Sequence, residues 1–425
     1  MAVHLGSRVS LSVVQRGLSA LLSIWGVDGR RLFMTNLINL ISFVDFRGVS
    51  VRFHSRSAFL ARVALGAMAL LAAACGDAGS PTSPGVAVGA AGVSESTPSA
   101  AHGMTDVALT RENGTTVRLG YLPNLTHGSA IVGVEAGIFA DKLGPDHLKV
   151  KRFNAGPDVV MAIFSGAIDI AYLGPNPSIN AFVKSEGDAV RIVSGAAAGG
   201  VALVVDPDIT SPAQLRGKRI ATPQLGGTQD VAARSWLRSQ GLKTNLQGGG
   251  DVAVIPQENA QTLEAFKAGR IDGAWVPEPW ASRLVQEGGG HILVDEADLW
   301  PGGQFVSTNV VVSKSFMEDH PESLRRFLEG HVAANRFIEA NPNTAKKIVS
   351  DAIAGYTGKG LAPAIIDAAW PRISFTNDPV ADSLFASAAA AEAEGFLESS
   401  QLEGIYELRS LNQVLAAYGL TEVEA

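Results

Sequence analysis

A single cysteine, Cys75, stands among 425 residues, so the chain can form no disulfide within itself and no cysteine-based zinc site. The eight histidines are scattered and show no His-Glu-x-x-His spacing, which leaves a catalytic zinc site without support. Gly-x-Ser-x-Gly, the turn that exposes a hydrolase serine, is missing, and so is a P-loop. Positive charge is scarce beyond the first segment. The formal charge is −7 overall; residues 1–74 hold eight Arg against two Asp, so the remainder carries −13. A body of that sign lacks the basic footprint of nucleic-acid binding, and any anion it holds must be met by local donors. Long apolar runs are also few: Val63 to Ala74 is too short to span a bilayer.

What is present suits a loop-rich α/β protein of two or three domains: 46% hydrophobic residues with 46 Gly and 20 Pro. Arg52, Arg56 and Arg62 precede the apolar run, which ends Leu71-Ala-Ala-Ala74-Cys75-Gly76. A positive region, a short apolar core and small residues make a secretory signal. The segment resembles a bacterial lipoprotein signal, which implies lipidation of Cys75 and an extracytoplasmic, membrane-anchored protein. Residues 1–74 therefore read as a leader. Residues 1–50, including the apolar stretch Leu32 to Phe46, precede the signal and point to an over-extended reading frame whose start lies nearer Val51 or Met68. Residues 75–116, rich in Ala, Gly, Ser, Thr and Pro, read as a flexible linker.

One eight-residue pattern occurs twice: Gly166-Ala-Ile-Asp169-Ile-Ala-Tyr-Leu173 and Gly269-Arg-Ile-Asp272-Gly-Ala-Trp-Val276. Helix-spaced apolar pairs, Val160 with Ile163 and Leu263 with Phe266, precede the copies. Each copy predicts a glycine-ended helix, an Ile-Asp turn and a short strand running into a Pro-rich loop, and so two related α/β lobes. Strands are expected at 117–122, 148–153, 189–196, 201–205, 218–222, 252–255, 291–294 and 305–312. The division that follows is 117–206 as the first part of lobe 1, 207–304 as lobe 2, and 305–425 as the rest of lobe 1 with the C-terminal helices. Two crossings between the lobes make a two-strand hinge, and hinged lobes close around ligands.

Five loops share one physical character: 121–128, 173–178, 195–200, 225–230 and 275–280. Most lead from a predicted strand into a helix, where free N–H groups and the positive end of the dipole bind anions without a cationic side chain. Taken singly, each loop reads better as a capped turn with no ligand; five on one rim point to a pocket.

The strings Asn124-Leu-Thr-His127, Phe153-Asn-Ala-Gly-Pro157, Gly174-Pro-Asn-Pro-Ser178, Thr222-Pro-Gln-Leu-Gly-Gly-Thr-Gln-Asp230 and Trp275-Val-Pro-Glu-Pro-Trp-Ala-Ser-Arg283 resemble solute-binding proteins of ABC importers that handle nitrate, sulfonates and taurine. Aliphatic sulfonate binders look closest. The resemblance spans roughly Val117 to Tyr418. It implies a periplasmic-binding-protein type II fold, a small anionic organosulfonate gripped between the lobes, and the transmembrane subunits of an ABC permease as partner. It implies neither a cofactor, a metal nor catalytic residues. Nitrate or taurine binding, or an enzyme like the pyrimidine-precursor synthases on the same fold, are the alternatives. The candidate ligand-binding residues are Asn124, Thr126, His127, Gly174, Asn176, Ser178, Gly199, Gly200, Thr228, Gln229 and Glu278. His127 either donates to the anion or caps its loop. Glu278, whose carboxylate would repel a sulfonate, either holds a polar group on the ligand's tail or bonds to backbone across the rim. Trp275 and Trp280 are either core residues or an apolar wall.

Overall fold

A computed structural model describes residues 115–358 and 360–425. The expectations for the leader, for lipidation of Cys75 and for nearly all of the linker lie outside the described residues.

β1 (Val117–Tyr121) leads through the 3-10 turn Leu125–His127 into α1 (Gly128–Glu135) and α2 (Ile138–Leu143). β2 (Leu148–Arg152), α3 (Gly156–Phe164) and β3 (Ile170–Leu173) follow, with β2 and β3 parallel to β1 on either side. α4 (Pro175–Lys184) and the long β4 (Val190–Gly199) complete the first pass. Pro at or beside the first position starts α3 and α4, where its missing N–H goes unneeded.

The chain then enters a second sheet. β5 (Val201–Val205) is followed by β6 (Arg219–Thr222), α5 (Thr228–Ser239), β7 (Ala253–Pro256), α6 (Asn259–Lys267), β8 (Gly273–Pro277), α7 (Trp280–Gln286) and β9 (His291–Asp295). Two 3-10 turns, Glu296–Leu299 and Pro301–Gly303, carry it back to β10 (Val306–Ser313) in the first sheet. Then come α8 (Lys314–Asp319), α9 (Pro321–Ala340), α10 (Pro342–Thr357), α11 (Pro363–Ala369), β11 (Ile373–Phe375), α12 (Ala381–Ala393) and α13 (Arg409–Ala417). Strand order is β11-β4-β10-β3-β1-β2 in one sheet and β7-β6-β8-β5-β9 in the other. Each sheet buries apolar residues on both faces, which is why its strands read as continuous apolar runs.

The duplication is structural as well as sequential. Gly166 and Gly269 end their helices at φ 66° and 64°, a left-handed turn that glycine makes without strain. Asp169 accepts from the backbone N–H of Arg118 at 2.8 Å, and Asp272 from that of Arg219 at 2.9 Å. Each Asp also pairs with the guanidinium of the same Arg, which in turn reaches the carbonyl of the helix-ending glycine. The repeat thus pins its strand to the first parallel strand of each lobe by the same device.

One boundary moves. β5 pairs antiparallel with β8 and β9, so it belongs to the second lobe, and the crossing expected near 206 lies at Gly199-Gly200. Both glycines have positive φ, 75° and 73°. A Cβ on Gly200 would fall 2.5 Å from Ile373 Cγ1, and one on Gly199 2.6 Å from the Arg372 carbonyl oxygen. The chain returns to the first sheet just before β10, at Phe305.

Candidate functional site

The parallel strands of both lobes end at one place. A cavity of about 70 Å³ is lined from lobe 1 by Leu122, Asn124, Thr126 and His127 after β1, Asn154, Ala155 and Gly156 after β2, and Leu173, Gly174 and Pro177 after β3. Lobe 2 contributes Pro223, Gln224, Gly227, Thr228 and Gln229 after β6, Glu258 and Asn259 after β7, and Pro277 at the end of β8; Ser307 of β10 closes the wall. This is where open α/β sheets bind ligands, just beyond the carboxyl ends of their strands.

Four α-helices begin here: α3 and α4 from lobe 1, α5 and α6 from lobe 2. None has a side-chain cap; the residues before them are Ala155, Gly174, Gly227 and Glu258. The N–H groups of a first turn have no acceptor inside the helix, so those of Thr228 and Gln229 are left for whatever occupies the cavity. Four positive dipole ends aimed at one small volume make it favourable for an anion. Lys and Arg are absent from the lining, so the field comes from peptide dipoles.

The loop before α5 is held by Asp230, which is fully buried. Its carboxylate accepts from Thr222 Oγ1 at 2.7 Å, from the Gly226 N–H at 3.0 Å and from Arg234 Nε at 3.0 Å. That buried pair fixes the glycine turn and leaves the Thr228 hydroxyl facing lobe 1. A Cβ on Gly174 would come within 2.7 Å of Thr228 Oγ1, so only glycine permits the lobes to approach this closely.

His127 is buried, and burial pushes its pKa down to about 3, so the ring is neutral. Its Nδ1 accepts from the Leu122 N–H at 3.3 Å, which assigns the proton to Nε2 and leaves a neutral donor in the cavity wall. Asn124 also faces the other lobe: its Oδ1 accepts from Trp280 Nε1 at 3.1 Å.

Six of the expected residues therefore meet in the cavity: Asn124, Thr126, His127, Gly174, Thr228 and Gln229. Five do not. Ser178 is buried, and its Oγ donates back to the Gly174 carbonyl at 2.8 Å inside α4. Asn176 faces a neighbouring cavity. Gly199 and Gly200 sit at the crossing; β4 runs on to Gly199, so no rim loop forms there, and the Gly200 carbonyl accepts from the Glu278 N–H at 2.8 Å. Glu278 is fully buried behind the rim. It pairs with Arg372 Nε at 3.0 Å and accepts from Ser282 N and Oγ, each at 3.0 Å. Burial raises its pKa, with Ser282 and Arg372 acting in the opposite direction. Trp275 is core, its Nε1 donating to Glu296 at 2.6 Å.

Sequence reading missed Asn154, Gln224, Glu258, Asn259 and Ser307. The duplication held the signal for two of them: 257–259 follows β7 as 153–156 follows β2. Ser307 carries no local signal, because it stands at the start of β10, where the chain has just returned to the first sheet. Among the described residues no group of three or more His, Cys, Asp or Glu is placed to hold a metal ion.

Residues 110–353 match the model of the NMT1-like family. The chain belongs to that family. The taurine-binding periplasmic protein of Escherichia coli (strain K12) is 30% identical over 193 residues, 45% of this chain and 58% of that protein. The bicarbonate-binding protein CmpA of Synechococcus sp. is 24% identical over 262 residues, 55% of this chain and 57% of that protein. The match thus spans less than two thirds of the length of either relative. Among solved structures, the alkanesulfonate-binding protein SsuA of Xanthomonas axonopodis pv. citri bound to MOPS superposes with a TM-score of 0.56 at 20% identity, over 68% of this chain and 96% of that one. The periplasmic nitrate-binding protein NrtA of Synechocystis PCC 6803 does so with 0.59 at 16%, over 72% and 89%. This NMT1-like chain has the type II periplasmic-binding-protein fold expected from its sequence. No helix among its described residues is long and apolar enough to cross a membrane.

Proposed function

We propose that this NMT1-like protein is the extracytoplasmic solute-binding component of an ABC importer. Its ligand is an aliphatic sulfonate or related small anion, captured between the lobes and delivered to the transmembrane permease subunits. Lipidation of Cys75 holds it at the membrane, and it performs no catalysis. The observation that carries the reading is the convergence of four helix starts without side-chain caps, two from each lobe, on one cavity lined without Lys or Arg. Sulfonate oxygens accept several N–H groups at once. Each donor left unpaired in the closed state would cost about 1–3 kcal/mol, so an anion that reaches both rims stabilises closure over opening. The named relatives and neighbours, which bind taurine, bicarbonate, alkanesulfonates and nitrate, support an oxyanion.

Thermal-shift and calorimetric titration with alkanesulfonates, taurine, nitrate, bicarbonate and sulfate tests the proposal. Stabilisation by sulfonates is expected; stabilisation by nitrate or bicarbonate alone would refute the sulfonate while keeping the transport role. Glu258 favours taurine as a second reading. It is exposed, and it brings the cavity's only carboxylate to the start of α6, where an ammonium group could pair with it. Under that reading Glu258→Gln weakens taurine binding by about threefold to tenfold and leaves ethanesulfonate unchanged.

A further inference from the structure

Trp280 opens α7, just past the end of β8, and is half-buried against the apolar core of lobe 2. The Arg283 guanidinium lies over its ring, 4.7 Å from the centroid, and is itself held by Glu287 at 2.7 Å. Core packing and a cation over its face thus fix the indole in place. Trp280 is not part of the cavity lining, yet its Nε1–H crosses to lobe 1 and meets Asn124 Oδ1 at 3.1 Å. Asn124 is 9% exposed and lines the cavity beside Thr126 and His127. Its backbone is pinned: the N–H donates to the Leu122 carbonyl at 2.9 Å, and the carbonyl accepts from the His127 N–H at 3.0 Å. Only the side-chain amide is free to turn. An amide has a donating and an accepting end, and half a turn exchanges them. An indole N–H only donates, so the atom that meets it is the oxygen. With Oδ1 committed to lobe 2, the group that Asn124 can offer a ligand is the donor Nδ2.

We infer that Trp280 is a positioning residue for the anion: it holds the Asn124 amide with its donor end toward the site, and only while the lobes are together. This rests on the anion-binding reading above. With the lobes apart, the amide can turn its oxygen to the ligand and repel it; on closure the indole selects the other orientation. Anion and indole therefore favour the same state of one side chain, and each strengthens the other's hold on it.

Calorimetric titration of the full chain with ethanesulfonate, run as a double-mutant cycle, tests the inference. Trp280→Phe keeps an aromatic ring under Arg283 and removes the N–H, and it should weaken binding about threefold to tenfold. In an Asn124→Ala background the same change should alter affinity by less than about twofold. Equal losses in the two backgrounds, or native affinity in a folded Trp280→Phe, would overturn the inference and leave the sulfonate reading standing. Should Trp280→Phe not fold, NMR of the native chain supplies the measurement. Of its six indole N–H resonances, the one displaced by Asn124→Ala should move downfield and exchange more slowly with water as ethanesulfonate saturates the site. No response from that resonance would equally overturn the inference. Failure of the native chain to bind ethanesulfonate would overturn the sulfonate reading, and this inference with it.

Discussion

At the scale of single residues, three buried titratable side chains divide the work between ligand and stability. His127 is neutral, with burial holding its pKa near 3, so it donates from Nε2 across the neutral range. Ligand affinity should be flat between about pH 5 and 8 as far as His127 is concerned. His127→Leu should weaken sulfonate binding about tenfold by removing one donor, whereas His127→Gln, which keeps an N–H, should lose less; calorimetry distinguishes them. His331 is also buried and neutral, its pKa lowered to about 4, with Nε2 donating to the Gly195 carbonyl at 2.9 Å and Nδ1 2.7 Å from the Tyr172 hydroxyl. Unfolding lets both histidines take up protons below pH 6.5, so their contribution is full above 6.5 and is lost as pH falls toward their folded values. Glu296 has the opposite sign: burial raises its folded pKa to about 7, above the 4.5 of a free glutamate, so its contribution is present below 4.5 and lost as pH rises through 7. Stability measured by denaturant titration should therefore rise with pH between about 4.5 and 6.5, and Glu296→Gln should steepen that rise.

At the scale of elements, the repeated Arg–Asp–Gly staple explains why the same eight residues recur. The Asp turns the chain and caps the neighbouring strand's N–H, so helix, turn and strand are fixed together. The two copies differ in burial: the Asp169 side chain is 4% exposed and that of Asp272 is 21%. Asp169→Ala should destabilise the protein by about 2–3 kcal/mol and Asp272→Ala by about 1 kcal/mol, as read from urea unfolding midpoints. This much was legible in the sequence, because a turn of that kind is local and its residues are adjacent. The candidate site was legible only in part, through the glycines and small polar residues at strand ends. Ser178 and Asn124 show the limit: both are polar residues in rim loops, yet one side chain turns back into its own helix and the other bonds across to Trp280. Residue type in a rim loop does not say which of these happens: Ser178 finds its acceptor four residues back, whereas the partner of Asn124 lies 156 residues away.

At the scale of the whole molecule, the lobes are joined by more than their two crossing strands. Arg372, next to β11 in lobe 1, reaches Glu278 at 3.0 Å and Asp295 at 3.1 Å in lobe 2. α12 lies along α5, with Arg238 of lobe 2 pairing with Glu394 at 3.2 Å. Gln286 of α7 donates to the Ala364 carbonyl of α11 at 3.0 Å. The segment after β10 thus touches lobe 2 on two sides of the cleft. Arg372→Met should cost about 3–5 kcal/mol in stability, because it strands the fully buried Glu278 carboxylate; adding Glu278→Gln should recover most of that loss in thermal unfolding. Small-angle scattering of the double variant without ligand should show a larger radius of gyration than the native chain, since one tie across the hinge is gone.

The sequence by itself determined the α/β class, the duplicated lobes and the strand-to-helix loops, because each follows from local periodicity or turn chemistry. Tertiary structure alone decided which loops converge. It placed the hinge at Gly199-Gly200, made Glu278 an ion-pair partner of Arg372, brought Ser307 and Asn259 to the wall, and opened a second cavity beside Thr228. Those outcomes depend on how two sheets pack across a hinge, and packing between segments a hundred residues or so apart leaves no periodic trace in the chain.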